Sequence, residues 1–296
     1  MTMSSSTLPA HWQVGVVGAG RVGAVLAAAL RRSGLRVVAA HGLSDASRRR
    51  ADALLPGVPL LPVSSVVEQA DLLLLAVPDD TLPGLVQGVA RSTGFRRDQV
   101  VAHTSGRHGA AVLDPARSRH ALPLALHPAM TFTGTAMDLD RLSDCAFGVT
   151  ADPELRPVAE ALVLEMGGTP VWVAEEDRVA YHCALAHGAN HVVTLVSEAM
   201  EVLSRAGVEA PHRVLGPLMN ASLDNALRMG DAALTGPVSR GDVGTVEDHL
   251  AALERVAPDV RATYVALARA TALRALDSGR LSPGAAEHLL GVLGAP

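Results

Sequence analysis

The sequence contains no lysine, so all 25 of its cationic side chains are arginine. That one absence removes a Walker-type phosphate lysine, a Schiff-base lysine and a lysine general acid from the chemistries open to the chain. Aromatic residues make up only 2%, so the core has to be assembled from Ala, Val and Leu. The two cysteines, Cys145 and Cys183, have no paired spacing, which points away from a disulfide framework and towards a reduced, cytoplasmic setting. No apolar run approaches the length of a bilayer span. The opening residues, MTMSSSTLPAHW, are polar; they lack the core of a signal peptide, and a frayed lead is expected before Trp12. A net charge of −5 offers no basic excess, so neither nucleic acid nor a membrane is an expected partner. At 296 residues the chain has room for one large or two modest domains.

What is present is organised around Val14 to Leu30. A β-branched run ends in Gly18, Ala19, Gly20, Arg21, Val22 and Gly23 and passes directly into an alanine-rich segment without a breaker. This reads as strand, tight glycine turn and helix, the context a dinucleotide-binding fingerprint requires. Gly18 permits the turn, Gly20 lets the backbone approach a pyrophosphate, and Gly23 lets the helix pack close to the strand. The helix N-terminus then faces the phosphates. A second strand, Leu35 to Ala40, ends where an NAD site places an acidic residue for the ribose 2′-hydroxyl. Here stand Ser44, Asp45, Ser47 and Arg48 to Arg50. Ser and Arg suit a 2′-phosphate, so NADP(H) is expected over NAD(H), with Ser44 and Arg48 near that phosphate. At least one of the three arginines is expected to be simply solvated, and Asp45 is the residue that speaks for NAD.

Asp71 to Pro78 is a continuous apolar run, as in a central parallel strand buried on both faces. Two further short strands end at His103, Thr104 and Ser105, and at His127 to Thr131. Ligands bind at such strand ends, so Val77, Pro78, His103, Thr104 and Ser105 are expected to line the nicotinamide end, with His127 and Thr131 beside them. Two more strands flanking a helix complete the first domain at about residue 175. The expected fold class is thus an α/β Rossmann dinucleotide-binding domain, residues 1–175, followed by an all-α C-terminal domain, residues 176–296.

In the helical half, a helix from about Arg178 to Arg205 carries Cys183, His187, Asn190, His191 and Thr194 near one face. A polar stripe on an otherwise apolar helix is costly to bury without partners, and the group reads as a site rather than as core. Downstream, the loop from Leu234 to Asp242 offers Thr235 and one arginine, Arg240, suited to holding a carboxylate.

The glycine fingerprint, DLLLLAVPDD, HTSG, LALHPAMTFTG, ALAHGANH and LTGPVSRGD together resemble the Rossmann-like proteins with a DUF2520 C-terminal domain. More distantly the layout resembles ketopantoate reductase, pyrroline-5-carboxylate reductase, prephenate dehydrogenase and the β-hydroxyacid dehydrogenases. The stretch at His127 is similar to the histidine loop of the prephenate enzymes. The resemblance implies an oxidoreductase whose helical domain forms a homodimer. Where hydroxyacid dehydrogenases and ketopantoate reductases carry a Lys and an Asn one turn apart, this sequence has His187, with Asn190 or His191 in the Asn role.

The resulting expectation is a NADP-dependent oxidoreductase moving a hydride to or from a small carbonyl, imine or hydroxyl compound, one bearing a carboxylate, such as a 2-keto acid. His187 is the expected proton donor, with Asn190 orienting the carbonyl and His127 completing the catalytic set. Thr131, His191, Thr235 and Arg240 are expected to contact substrate, which would lie between the domains. No resident metal is expected. Two alternatives stand beside this reading: a nucleotide sensor without turnover, and a metal site built on Cys183, His187 and His191, whose i, i+4 spacing can converge on one ion.

Overall fold

The computed structural model describes residues 8–9 and 11–294. The chain divides into two compact units, residues 1–186 and 187–296. In the first, strand β1 (Gln13–Val17) leads into helix α1 (Arg21–Arg32), followed by β2 (Arg36–His41), α2 (Asp45–Leu54), α3 (Val63–Gln69), β3 (Leu72–Leu75) and α4 (Leu82–Arg91). Then come β4 (Val100–His103), α5 (Asp114–Arg117), β5 (Leu122–Pro128), α6 (Met137–Arg141), β6 (Ala146–Ala151), α7 (Arg156–Glu165), β7 (Thr169–Trp172) and α8 (Arg178–Leu185). The strands form one seven-stranded sheet in the order β2-β1-β3-β4-β5-β6-β7. Only the β5–β6 pairing is antiparallel.

The sequence dictates much of this. All four residues of β3 are buried, as helices covering both faces of a parallel sheet require. Helix α1 buries eight residues, five of them Ala or Gly, so it lies close to the sheet. After β1 the chain goes to β2 on one side and then crosses to β3 on the other. The C-terminal ends of β1 and β3 therefore flank the crevice at which doubly wound sheets bind ligands. The lead before Trp12 does not simply fray. Leu8 is buried in the core, and the Trp12 N–H donates to the Pro9 carbonyl at 3.0 Å; the rest of that lead, residues 1–7 and 10, lies outside the described residues.

The helix begun by α8 passes through one wide π-turn, Ala186–Asn190, and continues as α9 (His191–Arg205). The second unit adds α10 (Pro211–Met229), α11 (Pro237–Arg240), α12 (Val243–Val256), α13 (Pro258–Asp277) and α14 (Pro283–Gly294). Four of these begin on proline, whose missing N–H is one that a helix start leaves unbonded in any case. Their core is small: Val246, Ala268, Ala272, Ala275 and Leu289 pack with neighbours around α13. No described helix is long and apolar enough to cross a membrane. The fold class is the expected one, an α/β Rossmann unit followed by helices. The boundary read at 175/176 marks where strands stop, while the division by packing falls later, inside the continuous helix.

Candidate functional site

The three fingerprint glycines are there for three different reasons. Gly18 has φ +100°, and a Cβ there would overlap the Ala76 carbonyl oxygen. A Cβ on Gly23 would overlap the Gly18 carbonyl and come within 2.8 Å of the Ala76 side chain. Gly20 is different: a Cβ there would meet nothing nearer than the Gly18 oxygen, at 4.0 Å. No described residue requires glycine at that position, so its open side is room for something else. The N–H groups of Gly18 and Ala19 are already spent on the His41 carbonyl, at 3.0 and 2.8 Å. The donors left facing the opening are those of the first turn of α1, from Arg21, Val22 and Gly23.

Beyond β2, Ser44 caps α2, accepting from the Ser47 N–H at 3.1 Å and pairing with the Ser47 hydroxyl at 2.9 Å. Arg48 is exposed and only 3.7 Å from Asp45, a surface pair of little worth. Arg49 is also exposed, which meets the expectation that one arginine is solvated. Arg50 is partly buried and lies with Arg21 against Gly134, where a Cβ would meet both side chains. The loop carrying Gly134 is itself fixed by the fully buried Asp138, which accepts from the Gly134 N–H at 2.7 Å and the Thr133 hydroxyl at 2.9 Å. Thr131 in the same loop is exposed.

At the ends of β3 and β4 the expected rim is only partly open. Val77 packs beside Gly18, and the Thr104 N–H continues the sheet by donating to the Leu75 carbonyl at 3.1 Å. His103, expected near the nicotinamide, is instead completely buried. The Ser105 N–H donates to its Nδ1 at 3.1 Å, which leaves the proton on Nε2 for the Gly109 carbonyl at 2.9 Å. Burial drives its pKa down to about 3, against the pull of the Gly109 bond. Ser105 is buried as well, its hydroxyl accepting from the His108 N–H at 3.1 Å. These two residues hold the turn after β4, where both side chains are buried.

His127 is the histidine that enters a polar cluster. Its Nδ1 lies 3.0 Å from the Tyr181 hydroxyl, and its ring meets those of Tyr181 and His182 edge to face at 5.6 and 6.0 Å. Burial, and then the charges of Arg178 and His182, lower its pKa to about 4, so it is neutral near pH 7. Burial raises the pKa of Tyr181, opposed by Arg178. Arg178 is 1% exposed and has its guanidinium 5.8 Å from the Tyr181 ring centre. It donates to the Thr150 hydroxyl at 2.9 Å and the Gly148 carbonyl at 3.3 Å, and its Nη1 has no partner. Two glycines make room for the cluster. A Cβ on Gly106 would lie 2.6 Å from His182 and 2.9 Å from His127, and one on Gly148 would lie 2.5 Å from the Tyr181 hydroxyl. A phenol bonded to a neutral imidazole above a buried cation is an arrangement that can hold a proton and give it up.

Sequence reasoning gave no role to Arg178, Tyr181 or His182, and singled out Arg48 rather than Arg50 among the three arginines after β2. Tyr181 and His182 immediately precede the polar stripe read from that helix, so a signal was there, one and two residues upstream of Cys183, where the stripe was taken to begin. Arg178 left none, since an arginine at a helix start is ordinary.

In the second unit, His187 and His191 turn to each other, with Nδ1 atoms 3.0 Å apart and rings edge to face at 5.0 Å. Both are exposed, as is Asn190. The π-turn interrupts the regular helix on which the single polar face was read. Among the described residues no three His, Cys, Asp or Glu side chains are grouped to hold a metal ion. Arg240 gives its guanidinium to Asp242, at 2.7 and 3.1 Å, and Thr235 lines a cavity among the helices.

Comparison with known proteins places these features. Residues 1–128 match the family described as a Rossmann-like domain, and residues 145–271 match the domain of unknown function DUF2520. The chain thus matches a Rossmann-like domain in its first part and DUF2520 after it. A candidate NADP oxidoreductase from Bacteroides fragilis is similar in structure at 22% identity, with a TM-score of 0.74 over 89% of this chain and 98% of that one. An imine reductase from Pseudomonas sp. is 20% identical, with a TM-score of 0.64 over 96% and 99%. The imine reductase from Myxococcus stipitatus, solved in complex with NADP+, is 18% identical, with a TM-score of 0.63 over 96% and 100%. At these identities the likeness establishes the fold. No curated protein matches this chain in sequence.

Proposed function

We propose that this DUF2520 protein is an NADP(H)-dependent oxidoreductase acting on a small carbonyl, imine or hydroxyl compound that bears a carboxylate. The observation that carries the reading is Gly20, a glycine no internal contact requires, placed between two that are sterically obligatory. The residues present fit the dinucleotide. The open backbone at Gly20 and the N–H groups of Arg21, Val22 and Gly23 would hold the pyrophosphate. Ala19, its N–H already used, contributes shape. Ser44, Arg48 and, above all, the partly buried Arg50 would face the 2′-phosphate, and Val77, Pro78 and Thr104 the nicotinamide. The fold neighbours named for NADP chemistry agree with this assignment.

When bound, the cofactor supplies or accepts a hydride; the protein supplies position, field and the proton. Tyr181 and His127 are the groups to which we assign the proton. With His127 neutral, the phenol can give its proton to a developing alkoxide or amide and be re-protonated through the imidazole. Arg178, buried beneath the ring, steadies negative charge on the phenol oxygen. His187 and Asn190 are the donors the second unit offers, with His191, Thr131, Thr235 and Arg240 as further substrate contacts.

The partner we propose is a second copy of the chain. Helix α10 buries one residue of 19, Leu215, while Leu218 and Leu227 are 62% and 80% exposed. An apolar helix covered on so little of its surface is complete only against another chain.

The test is a turnover screen of 2-keto acids, ketopantoate among them, and cyclic imines with NADPH. Tyr181→Phe is expected to lower kcat by about 100-fold with NADPH affinity unchanged. A loss of kcat in His187→Ala alone would move the donor to His187. NADPH binding with no turnover across the panel would favour the sensor.

A further inference from the structure

Glu175 stands between β7 and α8, three residues before the buried Arg178 and six before Tyr181. Its carboxylate spans two successive backbone donors on the far side of the sheet order: Oε2 accepts from the Ala110 N–H at 2.7 Å and Oε1 from the Ala111 N–H at 3.2 Å. Those N–H groups open the short helical turn Ala110–Leu113, which is anchored by the fully buried Leu113. The residue before them is glycine for a visible reason, since a Cβ on Gly109 would overlap the Glu175 carboxylate. The Gly109 carbonyl is held in turn by the buried His103, at 2.9 Å.

The stretch so fixed is the one that packs on His127. A Cβ on Gly106 would lie 2.9 Å from His127 Nε2 and 2.6 Å from His182. Glu175 thus joins two pieces of the first unit that meet at the polar cluster: the turn after β4, laid against His127, and α8, which carries Tyr181. Two charge-assisted bonds from one side chain make a directional tie. Burial weakens the Arg178 cation, and the charges of Tyr181 and Glu175 oppose that, so the same carboxylate steadies the guanidinium beside the phenol. We infer that Glu175 is a positioning residue, a clamp between the turn after β4 and the start of α8 that holds Tyr181 on His127 and limits water at the imidazole. The inference rests on the proton role proposed for Tyr181 and His127.

The experiment is an NMR titration of the His127 ring in the full-length wild type, Glu175→Ala, Gly109→Ala and the double variant, with thermal melts of each. Gly109→Ala displaces the carboxylate without removing it, because Gly109 has an ordinary φ of −91° and the obstacle is the end of a flexible side chain. Wild-type His127 titrates at about 4. Each single variant is expected to move it up by at least about one pH unit, a tenfold change in proton affinity. The double variant should move it no further, since both changes undo one clamp. The charges facing His127, those of Arg178, His182 and Asp79, are kept in every variant. A fold that is merely less stable would melt earlier and leave this titration in place. In the turnover screen the single variants are expected to lose at least about tenfold in kcat with KM and NADPH affinity unchanged. Glu175→Gln, which keeps an oxygen for Ala110, should fall between and serves if the alanine variant does not fold. A titration unmoved in Glu175→Ala would overturn the clamp, as would shifts that add in the double variant or a shifted titration with kcat unchanged. A shifted titration in a protein whose wild type turns over no compound would uphold the clamp and remove the proposed chemistry instead.

Discussion

Helices α1 and α10 are written in much the same aliphatic alphabet and meet opposite fates. Helix α1 has 12 residues and buries eight; α10 has 19 and buries one. Helix α1 spends its Ala, Val and Leu against the sheet, whereas α10 leaves Val214, Leu218, Leu223, Leu227 and Met229 at least half exposed. A helix of that length gains little stability from propensity alone. The nucleotide unit thus covers most of its aliphatic residues within one chain, whereas the helical unit leaves a long apolar face exposed.

Acid separates the two most strongly. His103 and His127 are held neutral in the first unit, with pKa values near 3 and 4 against 6.5 unfolded. Each must take up a proton on unfolding. Their contribution is thus full above pH 6.5 and is lost as pH falls through the window down to about 4 for His127 and 3 for His103. The His103 share is roughly 4 kcal/mol at the bottom of that window. Trp12 and Trp172 both lie in the first unit, so urea melts followed by tryptophan emission should show its stability falling from pH 6.5 downwards. His103→Asn should flatten the curve. Stability constant from pH 7 to 4.5 would contradict the burial of neutral rings.

Truncation draws the same line. Leu26→Ala removes a fully buried side chain from α1 and should cost about 3 kcal/mol in urea melts. Leu227→Ala should cost under about 0.5 kcal/mol in the unfolding of the isolated chain, yet weaken self-association measured by sedimentation. An unchanged association constant would remove α10 from the proposed dimer. The smallest effect belongs to Gly216, in α10, whose successor Pro217 sets its ring against the α conformation of any preceding residue with a Cβ. Gly216→Ala therefore gains little from helix propensity and should leave stability within about 0.5 kcal/mol; weaker association in this variant would place Gly216 under the second copy.

The first unit was legible because its signals are local. The glycine turn, the unbroken DLLLLAVP run and the strand ends follow from period and punctuation, and each appears where expected. The reversed direction of β6 left no mark in the sequence, since direction is set by the path of the chain between β5 and β6 rather than by residues in either. The histidines at the strand ends read alike, yet His103 pins a turn from inside while His127 joins a cluster with Tyr181. The difference depends on which neighbour closes over each ring, and for His127 that neighbour is 54 residues away. In the helical half, the π-turn at Ala186–Asn190 broke the regular spacing from which the polar face was read. Arg240, read as a carboxylate clamp for a ligand, stays exposed and pairs with Asp242, two residues along.

The central claim is that the loop after β1 is shaped for a dinucleotide rather than by the packing of the fold, and Gly20 isolates it. The decisive measurement is titration of the wild type and Gly20→Ala with NADPH and NADH, read by energy transfer from tryptophan, alongside thermal melts. The account predicts NADPH bound over NADH by the wild type, an unchanged melt for Gly20→Ala, and NADPH affinity lowered at least about tenfold, with a further loss in Arg50→Ala. Binding of neither nucleotide, or equal NADPH affinity in Gly20→Ala, would contradict it.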